Sequence, residues 1–229
     1  MKLHAIICTR SREGITSVTN NLISYLVECD INILLAIDSP SIFTAYNKAF
    51  EKINENPEDI VIFCHDDIEI RDKPIDFVQN LKNSLQNEGT GFVGPAGTTN
   101  LGHDAIWWEQ QGWQQGLHKG KVTHLDPQGK EYLTFYGEPG DVVVLDGVFL
   151  AAQVKTIEKL GLDKPEYFEG EWDFYDIHYT SKAFLEGYTN KILDMDIVHH
   201  SRGELVGRDS WHKNREAFIK HTSLPLYIK

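Results

Sequence analysis

The sequence predicts an α/β fold, a mostly parallel sheet with helices on both faces. Three observations predict it. Strand-like and helix-like segments alternate three times between Leu3 and Val93, the pattern that gives a parallel sheet covered by helices. The strand segments are short, continuous apolar runs, as in strands buried on both faces. The composition is that of an ordinary globular chain: 229 residues, 41% hydrophobic and 24% charged, which excludes disorder and collagen-like repeats and suffices for one domain with a full core.

Each element has its own reason. Leu3 to Cys8 is an apolar run and reads as a buried strand. From Ile15, apolar residues at Val18, Leu22, Ile23 and Leu26 follow helical spacing. Ile31 to Ile37 is the next strand, stopped by Asp38-Ser39-Pro40. Ile42 to Ile53 reads as a helix with Phe43, Tyr46, Phe50 and Ile53 on one face, and Ile60 to Cys64 as a third strand. Pro74 opens another helix, as proline does in a first turn, and Phe92-Val93 make a short strand.

From Gly97 to Gly140 the periodicity disappears. Eight of the eighteen glycines lie there, with Trp107, Trp108, Trp113 and many glutamines. The segment is expected to be a long excursion off the sheet, of the kind that often carries function. Val142 to Ala152, broken at Asp146-Gly147, returns to strand. Helices are expected over Val154 to Leu160, Trp172 to Leu185 and Ser210 to Lys220, and a last strand over Ile192 to His200.

Charge and cysteines narrow the function. Lys and Arg number 22 against 34 Asp and Glu, a net charge of −12, which repels phosphate-rich polymers and argues against a nucleic-acid binder. A phosphorylated small molecule remains compatible if a divalent cation lies between the two. Cys8, Cys29 and Cys64 are far apart, odd in number and set in apolar runs, so buried thiols are expected rather than a disulfide framework or zinc ribbon. The N-terminal run is too short for a signal peptide or membrane span, and the expected location is cytoplasmic.

In parallel α/β sheets ligands gather at the carboxyl ends of the strands, which singles out Thr9-Arg10, Asp38 and His65-Asp66-Asp67. Taken singly, each could merely end a strand or cap a helix. Asp66 and Asp67 abut at a strand end and repel, which a divalent metal with oxygen ligands relieves. His199-His200 end the last strand, and adjacent strand residues point to opposite sides, so one of the two can reach a given metal. Glu169, Glu171, Asp173 and Asp176 crowd a helix start among Trp172, Phe174 and Tyr175. The helix dipole favours acids there, and desolvation by the rings would suit one of them to general-base work. Trp107 and Trp108 either form a satellite core or stack on a sugar ring of an acceptor, and the surrounding Gln, His and Asn tilt the reading to the sugar.

Together, six stretches are more specific than any one alone: 43–49 (FTAYNKA), 61–68 (VIFCHDDI), 93–97 (VGPAG), 144–151 (VLDGVFLA), 174–179 (FYDIHY) and 198–201 (VHHS). In order and spacing over nearly the whole chain, they resemble the GT-A glycosyltransferases, in the family-two-like branch of bacterial and viral enzymes. The resemblance implies one domain over 1–229, a Rossmann-like nucleotide-binding half (1–96) and an acceptor-binding, catalytic half (97–229). It implies a divalent metal, Mn²⁺ or Mg²⁺, a nucleotide-sugar donor (UDP-sugar favoured) and a carbohydrate or glycoconjugate acceptor.

The family's DxD motif falls on His65-Asp66-Asp67, with His65 in place of the first acid. The resemblance therefore puts the metal on Asp67 and His199, and ribose or metal-shell water on His65 and Asp66. Thr9, Arg10, Asp38, Asn47, Asp146, Gly147 and Arg202 complete the implied nucleotide-sugar site. The base falls on Asp176, with Glu171 and Asp173 as alternatives, and a single base with in-line displacement inverts the anomeric centre. Two other readings compete. A sugar-phosphate nucleotidyltransferase usually has a Gly-rich basic loop after the first strand, and residues 9–14 contain one glycine. A decayed nucleotide- or carbohydrate-binding module is favoured by His65 and opposed by the presence of Asp67, Asp176 and His199.

Overall fold

A computed structural model describes residues 1–9, 15–53, 56–126, 128–200 and 209–228. The first half alternates as expected: β1 (Leu3–Thr9), α1 (Ser17–Glu28), β2 (Asn32–Ile37), α2 (Ile42–Phe50), β3 (Ile60–His65), a short β4 (Ile68–Ile70), α3 (Pro74–Ser84) and β5 (Thr90–Gly94). Local chemistry sets the helix starts. The side chains of Thr16 and Ser41 accept hydrogen bonds from the backbone N–H of Thr19 and Thr44, and Pro74 opens α3. The elements β6 (Ala96–Thr98), β7 (Asn100–Leu101), α4 (Gln110–Gln114), β8 (His118–Leu125) and β9 (Glu131–Gly137) follow. The chain closes with β10 (Asp141–Val142), β11 (Val144–Leu145), β12 (Phe149–Gln153), α5 (Val154–Leu160), α6 (Tyr175–Leu185), β13 (Thr189–Ile192), β14 (Ile197–His199), α7 (Asp209–His221) and β15 (Leu226–Tyr227).

A seven-stranded sheet runs in the order β10-β13-β5-β12-β3-β1-β2. β1 is parallel to β2 and β3, and β5 to β13, while β12 lies antiparallel between β3 and β5 and β10 is antiparallel to β13. Five of the seven strands thus share one direction, with β12 and β10 reversed. Helices cover both faces. Phe63 of β3 packs against Tyr46 of α2, and Phe149 of β12 against Phe77 of α3. The register pairs Phe63 with Leu150 and Phe149 with Cys64, so strand alternation puts these two rings on opposite faces. One continuous apolar core joins residues from Leu3 to Leu226, and all three cysteines are buried free thiols.

The excursion corrects the expectation of a loop. β6, β8 and β9 belong to a second sheet of order β11-β6-β8-β14-β4, with β9 paired along β8 as a long hairpin. The hairpin turn is held by the Asp126 carboxylate, which accepts from the N–H of Gln128 and Lys130. The expected strand from Ile192 to His200 is instead β13 and β14, in different sheets, and Val142 to Ala152 is three strands shared between both sheets. The helix expected from Trp172 begins at Tyr175, because Phe174 takes a left-handed conformation (φ 71°). That conformation costs about 1–2 kcal/mol in a non-glycine residue; the buried Phe174 ring, packed on Phe168, Trp211 and Phe218, offsets it. Among the described residues no helix is long and apolar enough to cross a membrane.

Candidate active site

The carboxyl ends of three adjacent strands form the floor of the site. The register sets Thr9 of β1 beside Ile37 of β2 and Cys8 beside His65 of β3. Asp38 follows β2 in a left-handed turn (φ 52°), which aspartate tolerates, and its N–H donates to the Thr9 carbonyl. Asp66 is fastened from α1, where the Thr19 hydroxyl donates to its carbonyl (3.0 Å).

β14 approaches this edge beside β4 and β8, with His199 paired to Ile68 and to His124. The His200 N–H donates to the Asp67 carbonyl (2.8 Å) and fixes the two segments together. The adjacent histidines diverge: His199 Nε2 lies 3.4 Å from Asp67 Oδ1, and His200 Nε2 lies 3.3 Å from Glu69 Oε2. His65 Nδ1 is 3.7 Å from the same Asp67 oxygen. One ligand atom each from His65, Asp67 and His199 lies within 4.8 Å of the others.

The electrostatics of this cluster suit a cation. Burial opposes ionisation of Asp67, yet the His199 and His65 imidazoles outweigh it and hold the carboxyl at about 2. Burial pushes His199 down, and Asp67, followed by Asp146, more than reverses this, so its pKa is raised. Asp67 Oδ1 and His199 Nε2 are buried and have no hydrogen-bond partner among the described residues. Their mutual contact is an ion pair without hydrogen-bond geometry, and a divalent ion shared by two imidazoles and a carboxylate would satisfy both atoms. The three residues therefore fit a metal.

Facing the cluster, Asp146-Gly147 links β11 to β12, and α6 presents Tyr175 and Asp176 in its first turn. Asp176 Oδ2 accepts from the Gly147 N–H (3.0 Å), and the Tyr175 hydroxyl donates to the Gly147 carbonyl (2.7 Å) and meets His65 Nε2 at 2.9 Å. Only glycine fits there, because a Cβ on residue 147 would collide with the Tyr175 hydroxyl and come within 2.8 Å of the Asp176 Cβ. Burial first, and the Asp146 carboxylate second, push the Asp176 carboxyl up to about 7, with the N–H groups of Ile177 and Gly147 acting the other way.

A sequence profile described as a glycosyltransferase-like family matches residues 6–222. The chain belongs to this family. The streptomycin biosynthesis protein StrF of Streptomyces griseus is 25% identical over 182 residues, which span 76% of this chain and 58% of that protein. Among solved structures, GalNAc-T7 with UDP, GalNAc and Mn²⁺ matches with a TM-score of 0.53 at 12% identity, over 92% of this chain and 45% of that one. A197 from STIV matches with a TM-score of 0.51 at 14% identity, over 88% and 86% of the two chains. At these identities the structures share the fold, which is of the GT-A type.

In this glycosyltransferase-like chain the structure brings Thr9, Asp38, His65, Asp66, Asp67, Asp146, Gly147, Asp176 and His199 to one region by the contacts above. Asn47 is engaged elsewhere: its Nδ2 donates to Asp163 Oδ1 (3.1 Å). Arg10 and Arg202 lie outside the described residues. Of the alternative acids, Glu171 pairs with Lys164. Asp173 is buried and accepts from the Ser210 hydroxyl (2.6 Å) in the first turn of α7.

Trp107 is a correction. It is 1% exposed, with Trp108, His118 and Tyr136 packed around its ring, so it is part of the main apolar core and cannot stack on an acceptor. Trp108 is partly buried against Trp211. Two residues near the cluster were not expected to contact it. His124 packs beside His199 at 6.0 Å, on a strand whose residues alternate between buried and half-buried from His118 to Thr123. Tyr175 was expected only to help desolvate the neighbouring acids, within the 174–179 stretch, and not to contact the cluster.

Proposed function

We propose that this protein is a metal-dependent inverting glycosyltransferase that moves a sugar from a nucleoside-diphosphate sugar, UDP-sugar first, to an acceptor hydroxyl. The observation that carries the proposal is the buried pair Asp67 Oδ1 and His199 Nε2, in ion-pair contact at 3.4 Å but without a well-formed hydrogen bond among the described residues, at the strand ends where this fold class gathers ligands. Asp67 and His199, with His65 on the third side, would hold Mn²⁺ or Mg²⁺. A divalent ion supplies positive charge that neutralises a diphosphate leaving group.

The chain's own residues supply the rest. Asp176, kept near neutrality in pKa and anchored through Oδ2 by Gly147, takes the acceptor proton. Thr9, Asp38 and Asp66 line the nucleotide edge in the half formed by residues 1–96, and Trp108 and the second sheet face the acceptor in the half formed by 97–229. The name of the S. griseus relative adds small sugar-bearing metabolites to glycans as acceptor classes to assay.

The test is release of nucleoside diphosphate from UDP-, GDP- and dTDP-sugars, with Mn²⁺ and with chelator, and the anomeric configuration of the product by NMR. Metal-dependent release with an inverted product supports the proposal. No release from any donor under either condition rejects the enzyme reading in favour of a binding module.

A further inference from the structure

The Tyr175 ring is buried between Tyr46 and Tyr179, with ring centroids 5.7 and 6.2 Å away, so its hydroxyl is held in place. That hydroxyl donates to the Gly147 carbonyl and also touches His65 Nε2. A carbonyl oxygen only accepts, so the single hydroxyl proton goes to Gly147. His65 Nε2 must then carry a hydrogen of its own and donate it to the Tyr175 oxygen. In the neutral ring this leaves the lone pair on Nδ1, the nitrogen that faces Asp67 Oδ1 at 3.7 Å. A cation bound there would meet the Nδ1 lone pair of the neutral ring and the Asp67 carboxylate together.

We propose that Tyr175 is a positioning residue: its hydroxyl selects the His65 tautomer that turns Nδ1 into a metal ligand, and the resulting centre of two imidazoles and one carboxylate prefers first-row transition ions to Mg²⁺. This rests on the reading that His65, Asp67 and His199 hold a divalent ion, and adds which nitrogen takes part and which ions are favoured. Imidazole nitrogen suits transition ions, whereas Mg²⁺ favours carboxylate and water oxygens. The orienting partner of a ligating histidine is typically worth 10- to 100-fold in metal affinity. Gly147 ties this device to Asp176, since its carbonyl receives the Tyr175 hydroxyl and its N–H holds the Asp176 carboxylate.

Tyr175→Phe keeps the packed ring and removes only the hydroxyl. Calorimetric titration of the metal-free protein with Co²⁺ and with Mg²⁺, without nucleotide, reads the site apart from turnover. The parent protein is expected to bind Co²⁺ roughly tenfold or more tightly than Mg²⁺, and Tyr175→Phe to bind Co²⁺ about 10- to 100-fold more weakly than the parent. Nitrogen-15 NMR of the metal-free protein reads the tautomer: His65 protonated at Nε2 in the parent and mixed in the variant, a change that altered packing alone would not produce. His65→Asp is a second arm that leaves Tyr175 in place. It exchanges the nitrogen for an oxygen and is expected to narrow the preference for Co²⁺ over Mg²⁺ by roughly tenfold. Equal Co²⁺ affinity in the parent and Tyr175→Phe, an unchanged ion preference in His65→Asp, or a parent His65 protonated at Nδ1 overturns the proposal and leaves metal-dependent transfer standing. Failure of the parent to bind either ion overturns both. The expected Co²⁺ results without sugar transfer uphold this proposal and reject the transferase reading.

Discussion

Asp67 and His199 come from distant parts of the chain and meet with Oδ1 and Nε2 3.4 Å apart, both atoms buried and neither hydrogen-bonded among the described residues. The backbone brings them together: the His200 N–H is bound to the Asp67 carbonyl, and β14 is paired with β4 immediately after Asp67. The side chains are therefore held in contact by groups other than themselves, so this ion pair is a standing feature of the fold.

Metal should stabilise the folded state through this pair. At a free ion concentration a hundredfold above the dissociation constant, mass action adds about 2.7 kcal/mol. Mn²⁺ is expected to raise the melting temperature and chelator to reverse the rise. In Asp67→Ala the shift should disappear, as checked by differential scanning fluorimetry.

In the proposed mechanism Asp176 should set the acidic limb of the activity. A base must be ionised, and this carboxyl is pushed up to about 7, so turnover should fall as pH drops through about 7. Asp176→Asn should lower kcat by roughly 10²–10⁴-fold with little change in nucleotide affinity. Glu171→Gln, at a half-exposed ion pair with Lys164, should stay within about twofold of the parent. A pH–rate profile with the three proteins tests the assignment, and an active Asp176→Asn would reject it.

The same carboxyl should cost stability. Its folded pKa, about 7, lies above the ordinary aspartate value of about 3.9. As pH rises from about 4 the unfolded chain ionises first, so the folded state loses relative stability until pH reaches about 7, and the loss is constant above that. Asp176→Asn removes this titration. The variant should gain stability on the order of 1–4 kcal/mol over the parent above pH 7, and the gain should vanish near pH 4, as urea unfolding at the two pH values would show.

Trp107 should behave as a core residue. Trp107→Ala should lose about 3–5 kcal/mol and impair donor and acceptor use alike through unfolding. Its indole Nε1 is buried without a hydrogen-bond partner among the described residues, so Trp107→Phe should cost much less. Urea midpoints of the two variants check this, and a stable Trp107→Ala with selectively weak acceptor use would contradict the core assignment.

By itself the sequence determined the alternation of strands and helices through β5, the buried thiols, the acids at the end of β3 and the divergence of His199 and His200. Each of these follows from local apolar runs, strand alternation or charge. The GT-A resemblance added the pairing of Asp67 with His199 and the choice of Asp176. Only the tertiary structure decided the rest. The hairpin of β8 and β9 was hidden because its residues are largely polar or half-exposed, and glycines such as Gly120 obscure its period of two. Trp107 is a core residue because the second sheet folds over it, which no local pattern records. The split of 192–200 into β13 and β14 depends on two different partner strands. Tyr175 acquires its role from three groups, His65, Gly147 and Asp176, and two of them are far from it in sequence. Hydrogen-bond direction and ligand orientation arise where separate elements converge, so they are properties of the folded chain.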